Sequence, residues 1–167
     1  MVPNFLVLAA SSLIPFLIAF VWFHPKVFGG TTWATVAGLT KAQSDQPVKP
    51  FKLILSILLN FFLAFGIYNL AVHQSGVFGM VGANAELLKT GTAAAFLAEY
   101  GNNHLNFGHG MIHGGIQTIL CFVLPILGYA AIFERKSSKY LFINLGFWIL
   151  SLAIMGGVIA KWGGVPV

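Results

Sequence analysis

The chain has 167 residues, of which 57% are hydrophobic and only 8% charged, with a formal net charge of +5. A soluble domain carries about 25% charged residues, and four acids with nine bases cannot coat an 18.0 kDa globule. A soluble enzyme domain, a disordered chain and a disulfide scaffold are thereby excluded, and an integral membrane protein remains. The basic excess does not point to nucleic acid, because the bases are scattered between apolar stretches and are not gathered on one face.

A membrane-crossing helix needs about 20 largely apolar residues. Four stretches meet that need, at about residues 4–23, 51–72, 111–133 and 140–160. They predict an all-α, four-helix transmembrane bundle occupying residues 1–167 as a single membrane domain. The first stretch has no base before Lys26, so it reads as a span and not as a signal peptide. No internal repeat stands out.

The connections carry structure of their own. Pro25 is expected to stop the first span, since a proline pushes the preceding residue out of helical geometry. Thr31 or Thr32 suits the cap of a short amphipathic helix over residues 33–39, with Trp33 as an interface anchor. Residues 43–50 (QSDQPVKP) read as a mobile polar loop. The second connection, about residues 74–110, is too long to be structureless. Within it residues 84–100 predict a surface helix, with Asn84 as cap and Glu86 in the first turn. The third connection, 134–138, is short enough to force an antiparallel hairpin.

Orientation follows from the bases. The first and third connections hold Lys26, Lys41, Lys49, Lys52, Arg135, Lys136 and Lys139, against Lys89 and Lys161 elsewhere. Those two connections are therefore expected to be cytoplasmic, with both termini outside.

Transport of ions usually leaves ionisable groups inside the spans. Here Asp45, Glu86, Glu99 and Glu134 all lie outside the apolar stretches. The polar residues within them are milder, including Ser11, Ser12, Ser56, Asn60, Asn69, Gln117, Asn144 and Ser151, and read as glue between helices. Asn60 and Gln117 are also candidate binding contacts, and a solute path would need a cavity joining Asn60, Asn69 and Gln117. Pro15 and Pro125 lie mid-span and predict kinks. Cys121 reads as a small buried apolar residue.

The sharpest feature is GHGMIHGG at 108–115. His109 and His113 are four apart, so they share one helical face, a spacing that can hold a transition metal between two imidazoles. His104 precedes them and His73 follows the second span, so four histidines gather toward one membrane face. These are the candidate binding residues, and His109 and His113 are the metal candidates. HExxH, CxxC, GxSxG, P-loop and dinucleotide patterns are all absent. No catalytic residues and no cofactor are expected. The small faces Gly110/Gly114 and Gly156/Ala160 suit close helix approach.

The run WFHPKVFG (22–29), then FGHGMIHGG, Leu124–Pro125, FERKSSKYLFINLGFW and LAIMGG, resembles the bacterial membrane family called domain of unknown function 1761. The likeness extends over about residues 4–162, with Phe23 where the family signature has tyrosine. It implies a small inner-membrane four-helix protein and no activity. Its motif residues here are Trp22, Pro25, Phe28 and Gly29, which suit an interface anchor, a helix stop and a tight turn. The leading functional expectation is a non-catalytic protein that contacts the lipid bilayer and either other membrane subunits or copies of itself. The alternative is a metal or small-molecule binder, or a neutral-solute transporter, that uses the histidine cluster.

Overall fold

The computed structural model describes residues 1–166 other than Pro25 and 27–29. Its elements are β1 (Val2–Pro3), α1 (Phe5–Ser11), α2 (Leu13–Trp22), α3 (Gly30–Ala37), α4 (Lys41–Ser44), α5 (Pro50–Ala71), α6 (Gln74–Met80), α7 (Gly91–Tyr100), α8 (Phe107–Ile112), α9 (Leu124–Phe133), α10 (Ser138–Trp162) and β2 (Gly164–Val165). Two five-residue π turns, His113–Gln117 and Ile119–Val123, join α8 to α9. Among the described residues four helical stretches are long and apolar enough to cross a membrane: Phe5–Trp22, Pro50–Ala71, Phe107–Phe133 and Ser138–Trp162. The fold is an all-α four-span bundle.

Span four, α10, is the central column, with 50% of its most apolar window buried, against 22%, 22% and 17% for spans one to three. Its Leu152, Met155 and Ile159 form the core with Leu8 of α1 and Ile67 and Tyr68 of α5. Leu6, Phe62, Ile126 and Phe142 stay exposed, as apolar side chains facing lipid tails must. The terminal end is clasped shut. Val2 pairs with Val165 and Pro3 with Gly164, the Asn4 N–H donates to Gly163 O at 2.8 Å, and the Tyr68 hydroxyl donates to Met1 O at 3.0 Å.

At the opposite end, the Lys136 ammonium donates to the Ala37 carbonyl at 2.9 Å. This fastens the first connection to the third. The acceptor is the last residue of α3, where Gly38 at φ +81° lets the chain turn out of the helix. Trp22 faces inward, where its Nε1 donates to Ile143 O on α10 at 3.2 Å and its ring lies against Gly146. Trp22 thus ties span one to span four. Pro25, Phe28 and Gly29 lie outside the described residues.

Several expectations are corrected. Thr31 and Thr32 fall inside α3, which begins at Gly30 and not at 33. Part of the supposed loop 43–50 is α4, held by a reciprocal cap in which Thr40 and Gln43 bond each other's backbone N–H groups. The single surface helix expected at 84–100 is two pieces. A 3₁₀ turn, Ala85–Lys89, capped by Asn84, is separated from α7 by extended backbone at Thr90, and α7 opens on Gly91 at φ +59°, a left-handed conformation that glycine adopts without a Cβ clash. Span three starts at Phe107 and not 111, because the Asn106 side chain accepts from the His109 N–H at 2.9 Å. Cys121 is exposed on the lipid side. The in-span polar groups mostly bond their own helix. Ser12 donates to Ala9 O, Ser56 to Leu53 O, Asn69 to Phe65 O and Asn144 to Tyr140 O.

The kinks have local causes. Pro15 lacks the N–H that would bond the Ser11 carbonyl, and span one breaks between α1 and α2 at Ser12. Pro125 cannot donate to Cys121, and the π turns end just ahead of it.

Candidate metal centre

Four imidazoles meet at the terminal end of the bundle. His73 follows α5 by two residues, and α6 begins directly after it. His104 sits in the turn between α7 and α8, and holds a left-handed φ of +63°, uncommon for a residue with a Cβ. His109 lies in α8, and His113 opens the first π turn.

The close crossing of spans three and four sets the direction of these rings. A Cβ on Gly110 would overlap the Gly156 carbonyl oxygen, and one on Gly114 would overlap the Leu152 carbonyl oxygen. Backbone therefore packs directly on backbone, and the two small faces legible in the sequence meet each other. With that face of span three fixed on α10, the adjoining face turns His109 and His113 toward the outgoing end of span two. The ring centroid of His73 lies 4.8 Å from that of His109 and 5.0 Å from that of His113, and His109 and His113 are 4.4 Å apart. His104 stacks on His109 at 4.8 Å.

One coordinating nitrogen from each of His73, His109 and His113 falls within 4.8 Å of the others. A tetrahedral ion with metal–nitrogen bonds of about 2.0–2.1 Å needs its ligand nitrogens about 3.3 Å apart. An ion held by all three would draw the rings together. A porphyrin does not fit, because rings in mutual contact leave no slot for its plane. The donor set is all imidazole, which suits zinc, copper and nickel and not the hard magnesium or calcium ions.

Two details prepare the nitrogens. Gln117 Oε1 contacts His113 Nδ1. A partner on one ring nitrogen of this kind orients a metal-binding imidazole and leaves the other nitrogen, Nε2, to face the ion. His109 Nε2 is buried and has no hydrogen-bond partner. Such a group is costly to leave unfilled, and a metal ion would satisfy it. Burial holds the His73 imidazole below its ordinary value, and repulsion from His113 and His104 adds to this. His73 is thus kept in the neutral form that a metal requires.

Gln117 therefore belongs to the cluster as the partner of His113. Asn60 does not. It is buried in the middle of α5, about 20 Å along the helix from His73 at 1.5 Å per residue. Asn69 and Gln117 are both already engaged, which removes two of the three groups that a polar solute path would use. Sequence reading missed Thr118, whose backbone N–H closes the π turn on the His113 carbonyl and whose hydroxyl donates to the same oxygen at 2.8 Å. It also missed Gln74, which donates to Gly101 O and Asn103 O at 3.0 and 2.8 Å and holds the turn that carries His104. No periodicity marks a π turn, so only the glutamine beside His73 offered a signal.

A family described as "Protein of unknown function (DUF1761)" matches residues 6–160. No curated protein and no solved structure matches this chain.

Proposed function

We propose a metal-binding role for this chain, which belongs to the DUF1761 family of proteins of unknown function. The ion is a late first-row divalent metal, zinc by preference, since its closed shell imposes no geometry that the three imidazoles must meet. The observation that carries this reading is the convergence of His73, His109 and His113 within 4.8 Å, two of them on one span and the third at the end of another. His104, stacked on His109 at 4.8 Å, is the candidate for a fourth ligand. Gln117 and Thr118 position His113. Zinc titration of the metal-stripped protein in nanodiscs, with elemental analysis, tests the reading. One ion per chain is expected, and it is lost in His109→Ala. No stoichiometric metal in the parent overturns the proposal.

The location proposed is a bacterial inner membrane, with the histidine end outward. The split of bases supports this orientation, and the Lys136 bond to Ala37 supports placing the two basic connections on one side. In a Cys121→Ala background, cysteines at Ser44 and Ser138 should resist an impermeant thiol reagent in intact cells, and a cysteine at Thr92 should react. The reverse pattern inverts the topology.

A second reading, an accessory subunit or self-associating protein, draws support from a groove of about 440 Å³ lined by Val7, Ser11, Ile14, Val158 and Trp162. The Ser11 hydroxyl there is buried without a partner. Ser11→Ala should leave the oligomeric state in mild detergent unchanged if this groove is filled by lipid alone, and shift it if another helix sits there.

A further inference from the structure

The formal charge of the chain is divided unevenly between its two ends. Seven of the nine bases, among them Lys49, Lys52 and Lys136, lie at the end where α3 meets the third connection, and the acids there are Asp45 and Glu134. The histidine end carries Lys89 and Lys161 with Glu86 and Glu99. The whole net charge of +5 therefore sits at the first end, and the second end is balanced. Every acidic and basic side chain is among the described residues, and the one ion pair they form, Lys89 with Glu86 at 3.0 Å, is at the balanced end. Among the described residues no base of the charged end has a carboxylate partner.

The start of α5 shows what such bases face. The helix runs over Pro50–Ala71, 22 residues, which is about 33 Å at 1.5 Å per residue against about 30 Å of hydrocarbon. Lys49, its N-cap, and Lys52, in its first turn, thus stand at the level of the lipid head groups, and both are exposed. Three, seven and ten residues beyond Lys52 come Leu55, Leu59 and Phe62, which are 47%, 58% and 63% exposed. That spacing keeps all four on one side of the helix. Ten residues descend about 15 Å, the depth of one leaflet. A cationic head above an apolar stripe one leaflet long is the complement of an amphiphile with an anionic head and an acyl chain. A soluble polyanion would meet the charges and leave the stripe unused.

We infer that Lys49 and Lys52 bind the phosphate of an anionic phospholipid whose acyl chain lies along Leu55, Leu59 and Phe62. The two ammonium groups supply charge-assisted hydrogen bonds to the phosphate oxygens. The remaining bases of this end attract negative head groups and repel the choline of a zwitterionic one. The site is at the opposite end of the bundle from the histidines, so the inference goes beyond the metal reading and does not need it.

The test uses the whole chain in mild detergent, read by native mass spectrometry, with phosphatidylglycerol and phosphatidylcholine of identical acyl chains in competition. A base beside an anionic membrane surface contributes about fivefold in binding. Two bases therefore predict one retained phosphatidylglycerol per chain, with a preference of about 25-fold over phosphatidylcholine. Lys52→Gln should lower that preference about fivefold, and the double variant Lys49→Gln, Lys52→Gln should remove most of it. Lys89→Gln, at the balanced end, should leave it unchanged. Both α5 lysines are exposed, so these variants fold as the parent does, and thermal aggregation checks that they do. Glycerol phosphate, the head group without its chains, should not displace the lipid when added in excess. Displacement would reveal a site for soluble phosphate and overturn the lipid assignment. Equal retention of the two lipids by the parent would show that these bases are met by water alone, and an undiminished preference in the double variant would place the lipid elsewhere. Either result overturns the inference. Zinc titration reads the metal proposal separately, and neither outcome decides the other.

Discussion

Gly114→Leu is expected to abolish both the assembled bundle and its metal binding, whereas Gly128→Leu in the same span leaves both intact. A Cβ at Gly114 collides with the Leu152 carbonyl, and it also meets Gly156 Cα at 3.2 Å. Both obstacles are backbone, so no rotamer change relieves them. Overpacking a core usually costs about 1–3 kcal/mol, and a collision with backbone at a helix crossing lies at or above the upper end. A Cβ at Gly128 meets nothing within 4 Å, so there the leucine enters lipid. Thermal aggregation in mild detergent and zinc titration read the pair. If Gly114→Leu matches Gly128→Leu, span three does not cross span four through its glycines, and the account of why the histidines turn inward fails with it.

The contrast between those glycines shows where sequence was informative. Runs of about 20 apolar residues identify spans because the bilayer demands them, and the four spans stand close to where the hydropathy puts them. Gly110, Gly114, Gly156 and Ala160 were legible as small faces because close helix approach requires small residues. That the two faces meet each other was not legible, since spacing says nothing about partners. His109 and His113 fall on one face by the helical period, and that face does adjoin the glycines. Their meeting with His73 depends on the chain turning sharply at Val72 and entering α6, and α6 has the apolar, glycine-containing sequence QSGVFGM, which advertises no helix. Thr90 and Gly91 hid a break inside a run of good helix formers. Cys121 was misjudged because an apolar run in a membrane has two apolar surroundings, core and lipid, and composition does not separate them.

Acid should release the metal, and steeply. Each imidazole must be neutral to coordinate, and its ordinary pKa is about 6.5. With three ligands from His73, His109 and His113, protons compete at three places at once. Three free imidazoles would together lose about four decades of affinity between pH 7 and pH 5, each being roughly 97% protonated at pH 5, and that is the upper limit expected for the fall in zinc affinity. His73 moderates the fall. Burial, then His113 and His104, hold its pKa down, so it stays neutral further into acid than a free imidazole. The same shift fixes the sign for the metal-free fold. A base whose folded pKa lies below its unfolded value binds fewer protons when folded. It therefore adds stability above about pH 6.5, and that stability is lost as pH falls toward the folded pKa. Removing the metal should thus lower the melting temperature, and by the widest margin at neutral pH, where binding is tightest. His24→Ala, at the opposite end of the bundle, is the matched control and should change neither curve. Zinc affinity that is flat from pH 7 to pH 5 would show that the ligands are not imidazoles, whatever the stoichiometry.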